Sequence, residues 1–244
     1  VLIELRLFAR HFLFVIDTKS SGFIRLNFAL PIYTRSRRMM FDARRPMVID
    51  NEDLEHLCEE LSDISSVLTQ LVPGLSIGFK EISQTLDKDG EAATVTMLTA
   101  YRDGKELPLR DESDGVRKII SVLSLIIAAF NEQSVTVAID EFDAGIFEYL
   151  LGEILQSMEE SGKGQFIFTS HNLRPLEVIN KKFLYFTTTN PQNRYIRLKN
   201  ISATNNLRDT YFREIILCEQ EEEIYNKTKK FKIIAALKKA GGLR

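Results

Sequence analysis

The sequence is short of cysteine, of net charge and of long apolar runs, and each shortage closes off a class of protein. Its only cysteines are Cys58 and Cys218. They lie far apart and in no metal-ligand spacing, which points to a reduced, cytoplasmic protein without structural disulfides. The formal net charge is -2, so the chain is not a globally basic nucleic-acid binder, although a local basic patch is compatible with that balance. The longest apolar helical stretch, Ile119 to Phe130, spans 12 residues and contains Ser121 and Ser124. That is too short to cross a bilayer. The chain opens VLIELRLF, with no initiator Met, basic leader or cleavage pattern. An opening in mid-strand predicts a fragment whose N-terminal part is missing. There is no internal repeat and no low-complexity segment.

What is present is the composition of an ordinary globular protein, 44% hydrophobic and 27% charged over 244 residues, with ample chain to bury a core. Partial alternation in LIELRLF and FIRLNFAL predicts strands over residues 1–30, with a turn at Lys19-Ser20-Ser21-Gly22. Residues 35–45 hold Arg35, Arg37, Arg38, Arg44 and Arg45 against the single acid Asp42. They read as a solvated loop or as a phosphate or DNA contact. Leu54, Leu61 and Leu68 are seven apart, as are Leu57, Ile64 and Leu71. The seam predicts a helix over 51–72, capped by Asp50 or Asn51, stopped by Pro73-Gly74 and packed on its own domain. A strand pair at 75–83 and 93–102 follows, around the turn Asp87-Lys88-Asp89-Gly90, and Asp103-Gly104 makes the next turn. From residue 113 the pattern becomes helix, buried strand, helix, buried strand, which argues for a parallel α/β core. The tail from about 200 reads as helical, and residues 225–244 carry seven basic residues and no acid.

The chemistry concentrates in that core. Val135 to Ile139 predicts a strand buried on both faces, with Asp140 and Glu141 emerging at its C-terminal end. Ligands bind at that end of an open α/β sheet. Adjacent acids at such a place suit phosphoryl transfer: Asp140 in a Mg²⁺ shell, Glu141 orienting and deprotonating a water. Gln165 to Ser170 predicts a second buried strand, ending at His171, 31 residues after Asp140. Apolar residues at 150, 151, 154, 155 and 158 predict the crossover helix that makes the two strands neighbours. His171 is then expected beside the carboxylates. Upstream, Ser113 is the expected N-cap of a helix over 116–130, and with Gly115 it leaves backbone N–H groups open to an anion.

In this order the residues resemble the ABC-type P-loop ATPases. Glu112-Ser113-Asp114-Gly115 resembles a degenerate form of the signature motif, and Ile139-Asp140-Glu141 resembles Walker B. Asp143-Ala144-Gly145-Ile146 occupies the D-loop position, and His171 matches the switch histidine. Within that family the chain is most similar to the SMC-like and RecF/OLD-like AAA ATPases of DNA repair and antiphage defence. It does not resemble the transporter subunits, whose Gln-rich loop and coupling surface it lacks. The resemblance implies an incomplete α/β parallel-sheet core at 105–200, a β-rich and helical arm at 1–104, and a helical basic tail at 201–244. It also implies a homodimer that sandwiches ATP and Mg²⁺, in which Ser113 and Gly115 of one chain complete the Asp140, Glu141 and His171 site of the other. DNA is an expected partner through Arg35, Arg37, Arg38 and the 225–244 tail, and an effector protein is another. No glycine is followed at Walker A spacing by Gly-Lys-Ser/Thr, and Gly162-Lys163-Gly164 does not supply it. The intact carboxylate pair favours an ATPase lobe separated from that loop. The alternative is a pseudo-ATPase used for dimerisation or partner binding.

Overall fold

In a computed structural model of the chain, the described residues are 2–16, 29–33, 38–42, 44–198, 207–217, 222–226 and 228–241. They fall in two compact units, Val1–Asn172 and Leu173–Arg244. The first unit opens with a helix, α1 (Leu2–His11), where a strand was expected. The segment holds the good helix formers Leu2, Glu4, Leu5, Arg6, Leu7, Ala9 and Arg10 and has one β-branched residue, Ile3, so local helix propensity prevails over a short alternation. The strand begins later, at β1 (Leu13–Ile16). The turn expected at 19–22 lies outside the described residues. The arginine-rich stretch departs from a plain loop: β2 (Ala29–Tyr33) and β3 (Arg38–Asp42) form an antiparallel pair. Arg44 then doubles back onto the Asp42 carboxylate with Nε–Oδ1 and Nη2–Oδ2 contacts of 2.9 Å each.

An antiparallel sheet follows, in the order β4 (Met47–Asp50), β6 (Ala92–Arg102), β5 (Leu75–Leu86), with β7 (Lys105–Pro108) also paired to β6. The helix α2 (Asn51–Leu71) buries Leu57, Leu61, Ile64 and Leu68, the core of the expected seam. Asp50 is its N-cap residue without a side-chain cap bond; Asn51 instead accepts the Thr94 hydroxyl at 2.7 Å. Ser65, also on the buried face, accepts the Ile77 N–H at 2.8 Å. The seam therefore belongs to helix-on-sheet packing within the domain.

The parallel core comprises α3 (Asp114–Asn131), β8 (Thr136–Ile139), α4 (Glu148–Ser161) and β9 (Gln165–Phe168). The strand order is β1-β8-β9, all parallel. The expectation of strands buried on both faces is corrected here: Val137 and Ile139 are buried, but Thr136 and Ala138 are partly open, and Gln165 and Ile167 are exposed. One face is covered by α3, buried from Lys118 to Ile126. Among the described residues no helix is long and apolar enough to cross a membrane.

In the second unit a two-stranded hairpin, β10 (Phe186–Thr187) and β11 (Tyr195–Ile196), lies with two longer helices, α6 (Leu207–Leu217) and α7 (Lys230–Ala240). A short helix α5 (Pro175–Val178) opens it. Phe186, Leu198 and Leu207 form its core, with Tyr211 stacked on Phe186 at 5.5 Å. Glu177 pairs with Arg174 and Arg208, at 2.8 Å each.

The entry to β9 depends on a glycine. Gly164 donates its N–H to Ala129 O at 2.8 Å, and the next residue, Gln165, donates to Val135 O at 2.8 Å. A Cβ on Gly164 would meet Val135 O, Glu132 O and Ala129 O at 2.6, 2.7 and 2.8 Å. All three are backbone atoms that cannot swing away. Gly164→Ala is therefore expected to destabilise the fold by about 1–3 kcal/mol, the usual range for overpacking. An unchanged urea midpoint would refute this account of the strand entry.

Candidate functional site

The site is built at the C-terminal ends of β8 and β9. Ile139 stands opposite Phe168 in the parallel register, so the next residues, Asp140 and Thr169, are neighbours. Asp140 stays in the ladder by donating its N–H to Ile16 O at 2.9 Å, and Thr169 donates to Ile139 O at 3.1 Å. The Thr169 hydroxyl donates to Asp140 Oδ1 at 2.5 Å and accepts the Glu141 N–H at 2.8 Å. Glu141 itself is left-handed, with φ 49°, a conformation that costs a non-glycine residue about 1–3 kcal/mol and persists only where its surroundings impose it.

Those surroundings can be named. Phe142 donates its N–H to Thr169 O at 3.0 Å. Its ring is 0% exposed and packs edge-on against Phe166 and Phe168, with centroids 5.2 and 6.0 Å away. Burying such a ring stabilises by about 1.5–3 kcal/mol, enough to offset the strain one residue earlier. With Phe142 drawn inward, the Glu141 carboxylate is left at the surface, its Oε1 3.7 Å from His171 Nε2; the two side chains are 43% and 85% exposed.

His171 is held by its backbone. Asp143 accepts the His171 N–H at 3.2 Å on both carboxylate oxygens and the Asn172 N–H at 2.9 Å on Oδ2. The loop after β8 thus grips the loop after β9. Beneath it lies Lys118 of α3, 2% exposed, whose ammonium donates to Glu141 O at 2.5 Å and Ala144 O at 2.9 Å. Burial lowers its pKa from the usual 10.5 to about 8, while the charges of Asp143 and Glu141 pull it upward.

The N-terminus of α3 meets the same loop. Ser113 is the N-cap, accepting the Val116 N–H at 3.3 Å. Gly115 lies backbone to backbone with Gly145: a Cβ on Gly115 would fall 2.0 Å from Gly145 O. Gly145 adopts φ 77°, where a side chain would be strained. Glu112 turns elsewhere; it is buried and paired with Arg102, Nη2 to Oε2 3.2 Å. The Arg117 guanidinium donates to Glu112 O and Arg110 O and pairs with Asp114, closing the turn before the helix.

The structure therefore brings Asp140, Glu141 and His171 to one sheet edge, with Ser113 and Gly115 at the start of the helix that abuts their loop. Sequence reasoning missed the roles of Thr169, Asp143 and Lys118. Thr169 was findable as the residue facing Asp140 once the strands are paired. Lys118 was findable as a charge inside an otherwise apolar helix. The Asp143 contacts carry no local signal. Arg35 and Arg37 lie outside the described residues, and Arg38 begins β3. In the basic tail, Lys227 and residues 242–244 lie outside them too, while α7 has no buried residue.

No group of three or more His, Cys, Asp or Glu among the described residues could hold a metal alone. Mg²⁺ keeps several waters and uses one or two carboxylates together with substrate phosphates. The hard, sparse oxygen donors of Asp140 fit that habit, and do not fit a dedicated metal cage.

Among solved structures, the chain is similar to a crystal structure of the SmcHead bound to the C-winged helix domain of ScpA, at 17% identity and a TM-score of 0.37. That alignment covers 50% of this chain and 36% of the other. It is also similar to an Smc head domain with an extended coiled coil bound to the C-terminal domain of ScpA, derived from Pyrococcus furiosus, at 18% identity and a TM-score of 0.33. Here 51% of this chain and 33% of the other are covered. This chain spans about a third of the length of either. A search of curated proteins gave no match. The family model AAA_21, described as "AAA domain, putative AbiEii toxin, Type IV TA system", matches residues 14–177. That is well over half of the 244 residues, and the chain belongs to this P-loop ATPase family.

Proposed function

We propose that this chain is the signature, Walker B and switch-histidine lobe of an ATP-hydrolysing, SMC/OLD-like AAA ATPase that acts in the cytoplasm in DNA repair or antiphage defence. The observation that carries the reading is the placement of Glu141 Oε1 3.7 Å from His171 Nε2, one residue beyond Asp140 at a parallel-sheet edge. The family's description, which names a toxin of a Type IV TA system, is in keeping with the defence role.

In this reading Asp140 holds Mg²⁺ through a water, and the ion neutralises charge on the phosphates when bound. Glu141 orients the attacking water and takes its proton, and its exposed carboxylate is open to that water. His171 donates a hydrogen bond to the γ-phosphate from an imidazole whose backbone Asp143 has fixed. Ser113 and Gly115 offer the amide end of α3 to the nucleotide held by a second copy, making a homodimer around two ATP molecules. The β- and γ-phosphates need a backbone nest and a lysine, and the sequence has no Walker A motif to supply them, so in this reading that loop comes from outside these residues.

The pseudo-ATPase alternative, a dimerisation or partner-binding module, draws on that same missing loop. Glu141→Gln separates the two. In the ATPase that carries this lobe, the amide preserves shape and hydrogen bonding but removes the base. ATP binding is expected to persist while kcat falls by about 10²-fold or more, the low end for a general base, with a nucleotide-trapped dimer visible by size-exclusion chromatography. Hydrolysis at the wild-type rate would eliminate Glu141 as the base.

The 244-residue chain alone is expected to show no ATP turnover, because its sequence has no Walker A motif to cradle the terminal phosphates. Robust hydrolysis by the isolated chain, abolished by Glu141→Gln, would refute the need for an external loop.

DNA is the proposed partner of the Arg35, Arg37 and Arg38 cluster and the 225–244 tail, with an effector protein as the competing partner. Duplex binding is expected to be weak and blind to sequence. It should fall steeply between low and moderate salt through counterion release, and disappear when Arg35, Arg37 and Arg38 are all replaced by Ala. No binding of labelled duplex by the folded dimer at low salt would favour the effector.

A further inference from the structure

Lys118 is a charge placed where a hydrophobe would pack. It is 2% exposed and followed along α3 by buried Ile119, Ile120, Val122 and Leu123. An ammonium taken from water is costly unless its donors are satisfied, so its presence is explained by what it bonds. Its two acceptors, Glu141 O and Ala144 O, are the ends of the tight turn that follows the carboxylates. Glu141 O also accepts the Ala144 N–H at 3.0 Å, and Asp143 O accepts the Ile146 N–H at 3.0 Å. The ammonium thus closes the turn from below, directly at the residue whose backbone is left-handed.

The same helix touches the same loop a second time, through the close approach of Gly115 to Gly145. Lys118 spans Glu141 and Ala144, and Gly115 meets the next residue, Gly145, so the first turns of α3 hold the loop at adjoining points. The donor geometry matters as much as the charge. The ammonium is compact and aims two of its three N–H bonds at two convergent carbonyls, whereas a guanidinium is a larger planar fork that would have to be fitted into the same buried space.

We propose that Lys118 is a positioning residue for Glu141: it fixes the backbone of the general base and ties the first turns of α3 to the carboxylate loop, without itself touching nucleotide or water. The functional half of this assignment rests on the ATPase reading; the structural half does not. If Ser113 and Gly115 meet the partner's nucleotide, Lys118 makes the base's position sensitive to whether that contact has formed, which would couple hydrolysis to dimer closure.

Hydrogen exchange on the 244-residue chain tests the structural half without nucleotide. In Lys118→Met, the Ala144 and Ile146 amides are expected to exchange about tenfold or more faster, as in a locally opened turn. Amides of α4 (Glu148–Ser161) should keep their protection. Unchanged exchange in the turn would overturn the proposal, and so would uniformly faster exchange, which would make Lys118 a prop of the whole fold. If the Met variant does not fold, Lys118→Arg, which keeps a cation, is expected to show the same local pattern. An Arg variant indistinguishable from wild type would overturn the role of the ammonium geometry.

In the ATPase that carries this lobe, Lys118→Met is expected to lower kcat by about 10–10²-fold, the scale of a small misplacement, with KM for ATP little changed. Adding it to Glu141→Gln should lower turnover no further, because both act through one group. Glu141→Gln run in parallel tells the two readings apart. If that variant hydrolyses normally, the ATPase reading fails. If it is inactive while Lys118→Met turns over at the wild-type rate, the positioning role alone fails.

Discussion

The register of β8 against β9 is the constraint on which the site depends. Because Ile139 faces Phe168, the hydroxyl of Thr169 falls where it can donate to Asp140 and accept from Glu141 at once. A slip of one residue would turn the side chain at position 169 to the other face of the sheet, and Phe142 would lose its two aromatic neighbours on β9. Registers are strongly specified where a face is buried, and here the specification is aromatic. The Phe142, Phe166 and Phe168 cluster sits directly beneath the turn, so the hydrophobic effect that pairs the strands also strains Glu141 into its left-handed conformation. Folding energy is converted into the outward aim of a carboxylate.

Much of this was legible in the sequence because it rests on periodicity. The α2 seam, the crossover helix α4, the hairpin of β5 and β6 and the parallel pair β8 and β9 all follow from the spacing of apolar residues and turn residues. The first ten residues were not legible, since LIELRLF satisfies a period of 2 about as well as a period of 3.6, and only propensity separates them. The membership of β1 in the parallel sheet was equally hidden. A four-residue strand, Leu13–Ile16, pairs with one more than a hundred residues away, and no local pattern encodes such a partner.

The site divides along the same line. Asp140, Glu141 and His171 could be picked out because charged and polar residues at strand ends stand out against apolar runs. Thr169, Asp143 and Lys118 act through backbone atoms or through a partner fixed by the fold. A carboxylate that caps two amides looks, in sequence, like any surface charge, and a lysine at the head of an apolar run shows that it is buried but not which carbonyls it caps. Their meaning depends on three-dimensional neighbours, which is why sequence reasoning finds the groups that would face a ligand more readily than the groups that aim them.

The distribution of charge at the site also has a physical logic. The buried ion is a cation, Lys118, surrounded by carbonyl dipoles, whereas the Glu141 carboxylate remains open to solvent. In the proposed role a carboxylate base has to reach water, and the Glu141 side chain, 43% exposed, does so. Burying the lysine under the turn spends its donors on Glu141 O and Ala144 O and keeps its charge near the loop. Among the described residues, the hydrogen bonds given for Asp140, Glu141 and the His171 backbone come from Ile16, Thr169 and Asp143, all within the first unit of the chain. The contacts that orient the two carboxylates and the histidine are thus present with no nucleotide bound. Under the proposed function, a nucleotide would meet groups already oriented, so that little of its binding energy need be used in ordering them.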